Sequence, residues 1–142
     1  MRYSHLLVSV AVSPESHYLL AKAVAIARPY QAKITVVTLR AEPEMYNQLA
    51  APMLEDIRGV LQEETQTFLN ELVAQAEYPL TRAVIATGEL SEYILDICEK
   101  QQVDLVVCGN HNQNFFSRTT CSAKKIVSST KVDVLLIPLG GL

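Results

Sequence analysis

The chain has 142 residues, 49% of them hydrophobic and 19% charged, with a net charge of −3. That length fits one domain of about 100–150 residues, expected to run over residues 1–142, and the apolar content excludes a disordered chain. The lysines are scattered and the balance is acidic, so no basic footprint for nucleic acid exists. No stretch reaches the ~18 uncharged apolar residues a membrane span needs, and the start lacks a leader pattern. A cytoplasmic protein is expected. Three widely spaced cysteines do not make a disulfide framework.

Tyr3–Val12 is short, apolar and valine-rich, and predicts a buried strand. Ser13 then reads as an N-cap and Pro14 as the first residue of a helix. Leu19, Leu20, Ala23, Val24 and Ala27 recur at helical spacing on its buried face. Arg28 before Pro29 closes it, because a residue preceding proline resists the α region. Lys33–Leu39, "KITVVTL", is the second strand.

A longer connection over 40–52 carries Met45 and Tyr46, which with Met53 form an apolar patch suited to an interaction surface or to packing. From Met53 an amphipathic helix runs to Ala76, with Ile57, Val60, Leu61, Phe68, Leu69, Leu72 and Val73 on one stripe. Thr81–Gly88 is a third strand. Residues 89–100 form a helix with Leu90, Ile94 and Ile97 inward and Glu89 and Glu92 at its positive end. Val103–Gly109 is a fourth strand, Thr119–Ser129 a helix, and Val132–Leu139 a fifth strand. This alternation predicts an α/β fold: a mostly parallel sheet covered on both faces, with ligands at the C-terminal strand ends.

The chemistry expected there is sparse. No G-x-G-x-x-G or Walker A motif is present, and five glycines cannot build a glycine-rich phosphate cradle. The first strand ends in Ala11-Val12, without the aspartates of a phosphoryl-accepting receiver domain. His5, His17 and His111 have no partner at metal-ligand spacing, so no metal site is expected. No nucleophile–base pair is visible either, and no enzyme activity is expected. Cys121, at the start of a helix, suits a redox-sensing thiol or simple packing under the loop; Cys108 ends a strand and Cys98 reads as core.

Several segments, in order, resemble the universal stress proteins: "GELSEYIL", "DLVVCGNHNQNFFSRTTCSAKKIVSST" and "VDVLLIPL". "EPEMYNQLAAPMLEDIRGVLQEE" and the "GNHN…FFSR…CSAKK" loop are similar to the bacterial A/C subclass, which does not bind ATP. The resemblance implies a three-layer α/β/α sandwich with a five-stranded, twisted, Rossmann-like sheet of order 3-2-1-4-5. It also implies a dimer formed through the last strand by Val132, Val134, Leu136 and Pro138, whose free edge would otherwise be a liability. A role in survival under starvation, growth arrest or DNA-damaging stress, exerted through protein partners, is implied too.

ATP-binding members carry G-x2-G-x9-G-[S/T] after the fourth strand. Laid on this chain, the pattern falls on Gly109, Asn112, Ser122 and Ala123, so two of three glycines are missing. The acidic residue those members carry at the end of strand one is Ala11 here. Phe115 and Phe116 would crowd a triphosphate. No bound cofactor is therefore expected, with a nucleotide switch and a Cys121 thiol sensor as the alternatives.

Overall fold

The computed structural model describes residues 3–39, 51–86, 90–110 and 132–139. Five strands form one sheet: β1 (His5–Val10), β2 (Lys33–Leu39), β3 (Arg82–Ala86), β4 (Leu105–Asn110) and β5 (Asp133–Pro138). Their order is β3-β2-β1-β4-β5, and every neighbouring pair is parallel. The expected architecture is therefore present, with the order reversing between β1 and β4. The expected helix at 119–129 lies outside the described residues.

Alternation along the strands divides the core in two. Leu6, Val8, Ile34, Val36, Leu105 and Val107 point to one face, where they meet helix α1 (Glu15–Ala27) and helix α2 (Ala51–Gln75). Leu7, Val37, Val106 and Cys108 point to the other, against Ile94 and Cys98 of helix α3 (Leu90–Gln101). Burial on both faces is why these strands are continuously apolar rather than alternating. β5 departs from this: its sequence is as apolar as β1's, yet Leu135 and Leu136 are exposed because it ends the sheet.

Three local expectations need correction. The N-cap of α1 is Pro14, with no side-chain cap, although Ser13 Oγ accepts a hydrogen bond from the Glu15 N–H at 3.2 Å. Arg28 stays in the right-handed α region (φ −56°, ψ −46°) despite preceding Pro29. The chain tightens into a single 3₁₀ turn over Arg28–Tyr30 and escapes through Gln31, left-handed at φ 54°. In α2, Leu69 and Leu72 are buried and Ile57, Leu61 and Phe68 half-buried, but Val60 and Val73 face solvent. The stripe instead includes Thr65, buried, whose hydroxyl donates to the Leu61 carbonyl one turn back at 2.7 Å.

The N-terminal end of the sheet is closed by polar contacts. Asp104, just before β4, accepts from Ser4 N–H (2.9 Å), Ser4 Oγ (2.9 Å) and His5 N–H (3.0 Å). Partial burial pushes the Asp104 carboxyl up, but these hydrogen bonds outweigh it and hold the pKa below the ordinary value. His5 is buried between the Gln101 carbonyl (Nδ1, 3.1 Å) and Thr35 Oγ1 (Nε2, 2.8 Å). A carbonyl can only accept, so Nδ1 carries a proton, and in the neutral ring Nε2 then accepts from the Thr35 hydroxyl.

Candidate functional site

In an open parallel sheet the crevice outside the carboxyl ends of the strands, where the order reverses, is the natural binding place. Here it lies between β1 and β4 and is lined by Ser9, Ala11, Ser13, Ser16, Leu19, Gly109 and Leu139. Ala11 and Gly109 both line it. Asn112, His111, Phe115, Phe116, Cys121, Ser122 and Ala123 lie outside the described residues, as do Met45, Tyr46 and Glu89.

Among the described residues, the space these side chains enclose is about 10 Å3, room for at most one water molecule. Pockets that hold small molecules run to roughly 300–1,000 Å3. Two leucines line this space. Leu139 is 3% exposed and Leu19 2% exposed, and both belong to the core on the α1 side of the sheet. A Cβ on Gly109 would overlap Leu139 Cδ1, lie 3.1 Å from Leu139 Cγ and 3.6 Å from Leu19 Cδ2. A larger residue at Gly109 would have to push the Leu139 side chain aside.

The polar wall comes from the turn after β1. Ser16 Oγ donates to the Ala11 carbonyl, and Ser13 Oγ takes the Glu15 N–H. These bonds fold the β1–α1 turn back on itself, so two of the three serine hydroxyls that line the crevice bond to the turn. The sequence did not single out Ser9 or Leu139, and it placed Leu19 on the buried face of α1 rather than at the crevice. Leu139 follows a proline at the end of an apolar run, and nothing local says it reaches β4. The register does: Gly109 pairs with Ile137, two residues earlier.

Cys98 and Cys108 are both free and buried. Burial pushes the Cys98 thiol up to about 11; burial and the neighbouring Cys98 push Cys108 up to about 12. Neither is a thiolate near neutral pH. Among the described residues, no group of three or more His, Cys, Asp or Glu could hold a metal ion, and no helix is long and apolar enough to cross a membrane.

Of the residues expected at a dimer interface, Val132 and Val134 are half-buried against the α3-side core, while Leu136 and Pro138 are exposed. β5 pairs with β4 alone.

Comparison with known proteins identifies the fold and the family. The chain is 61% identical to universal stress protein C of Salmonella typhimurium over 99% of both chains. It is 39% identical to universal stress protein A of the same organism, covering 98% of this chain and 96% of that one. A solved universal stress protein in complex with cAMP shares the fold, with a TM-score of 0.67 and 17% identity over 98% of this chain and 99% of that one. The model of the universal stress protein family matches residues 2–138, and the chain belongs to that family.

Proposed function

We propose that this chain is a non-enzymatic, cytoplasmic stress-response protein that works as a homodimer through protein partners and does not bind ATP. Its contribution is to survival under starvation, growth arrest or DNA-damaging stress. The stress role is supported by the names of its relatives. The observation that supports the absence of ATP binding is the crevice between β1 and β4: Leu139 and Leu19 pack against Gly109, and Ala11 offers no carboxylate to a nucleoside.

The dimer reading draws on β5. It is the outermost strand, its sequence is apolar, and Leu135 and Leu136 are 37% and 45% exposed. Pairing with a two-fold mate would cover this edge. Sedimentation at micromolar concentration is expected to give twice the chain mass; a monomer overturns the dimer.

The nucleotide reading keeps a place because a protein of the same fold is solved with cAMP. The deciding experiment is a titration with ATP and with cAMP on protein purified without added nucleotide, with mass analysis of any retained ligand. No binding at millimolar nucleotide is expected. Saturation at micromolar concentration would replace the partner reading with a nucleotide switch.

A further inference from the structure

We propose that the solvent-facing stripe of α2 is a docking surface for a basic amphipathic helix of a protein partner. This rests on the reading that the chain acts through protein partners and adds where, and with what chemistry.

α2 spans 25 residues, against 13 for α1 and 12 for α3. Among its described residues, the fully buried leucines, Leu69 and Leu72, sit in its C-terminal third. Toward its start, Met53 and Val60 are 55% and 54% exposed, although apolar residues at this spacing would ordinarily face a core. They stand seven residues apart, two turns, so they share one face. Glu64, Thr67 and Glu71 continue that face at helical spacing. Beside them Phe68, half-buried, forms the floor of an open groove of about 400 Å3 with walls of Val60, Glu63, Glu64 and Glu71.

The charge on this face has one sign. Asp56, Glu63, Glu64 and Glu71 are all exposed, and none has an ion-pair partner among the described residues. Arg58 is the helix's single basic residue, and its position five residues after Met53 turns it away from the stripe at about 3.6 residues per turn. Apolar anchors at i and i+7, a half-buried aromatic floor and a carboxylate rim are complementary to a helix with an apolar stripe flanked by Lys or Arg. An acidic segment or an anionic membrane would be repelled.

The probe is a labelled synthetic helix of ~18 residues built from Leu and Lys, with all leucines on one face. A control peptide has the same composition with the leucines spread around the helix. Fluorescence anisotropy with the full chain is expected to show tighter binding of the amphipathic peptide, weakening as salt screens the carboxylates. Val60→Asp and Glu64→Lys are each expected to lose about tenfold in affinity. Gln66→Lys, exposed but off the stripe, is expected to bind as the parent does.

These are surface changes, so retained far-UV dichroism and unfolding midpoint establish that the variants fold. Equal binding of the two peptides, or unchanged binding by Val60→Asp, overturns the proposal. So does a drop in assembly mass with Val60→Asp, which would assign the face to contacts between copies of this chain. The two readings fail separately: ATP uptake sinks the partner role, whereas these outcomes sink only the α2 surface.

Discussion

Leu139 packs against Gly109 so closely that a single added methyl group on the glycine would overlap its Cδ1. The contact joins the segment after β5 to the end of β4. Gly109→Ala is therefore expected to cost about 1–3 kcal/mol by overpacking. Leu139→Ala alone removes a buried side chain and costs about 2–5 kcal/mol. Together they should cost less than the sum, because shortening Leu139 makes room for the new methyl. Urea unfolding of the two single variants and the double variant measures this; strict additivity would disprove the clash.

Thr35 and Thr38 lie on the same strand and predict opposite outcomes. Thr35 Oγ1 donates to the buried His5 ring, so Thr35→Val strands a buried acceptor and is expected to destabilise by about 1–3 kcal/mol. Thr38 is fully buried and its Oγ1 finds no hydrogen-bond partner among the described residues. Thr38→Val replaces that hydroxyl with a methyl of similar shape and is expected to be neutral or stabilising by up to about 1 kcal/mol. Chemical denaturation of both variants decides, and equal losses would contradict the assignment.

Asp104 ties the start of β1 to β4 through three accepted hydrogen bonds. Because its folded pKa lies below the unfolded value of about 3.9, its contribution is fully present above that value. It is lost as pH falls through the lower folded pKa. Asp104→Ala is expected to cost about 1–3 kcal/mol at neutral pH, with the gap to the parent narrowing in acid. Unfolding midpoints between neutral and strongly acid pH test this; a gap that widens in acid would reverse the sign.

The thiols of Cys98 and Cys108 should be inert in the folded protein, since burial holds them at about 11 and about 12. In a Cys121→Ser variant, which removes the third thiol, an aromatic disulfide reagent at mildly alkaline pH is expected to react only as fast as the protein opens. Added urea should accelerate it steeply. Rapid reaction of either thiol without denaturant would contradict their burial.

Much of the fold is legible along the chain because its causes are local. Apolar runs bounded by turn residues mark β1, β2 and β4, and the spacing of Leu19, Leu20, Ala23 and Val24 marks the buried face of α1. Alternation of strand and helix then restricts the sheet to parallel pairing. The family resemblance supplied the strand order, and the absent glycines at Asn112 and Ser122 already argued against a phosphate cradle.

What tertiary structure alone decided depends on residues far apart in sequence. A glycine at the end of β4 reads equally well as a phosphate contact or as space for a neighbour. Only the β4–β5 register, which sets Gly109 against Ile137, brings Leu139 over it. The same holds for Val60, apolar at helical spacing yet exposed on α2, and for His5, which the sequence leaves isolated and the sheet hands to Thr35. Periodicity records which residues share a face; which faces find a partner is set by how the elements pack.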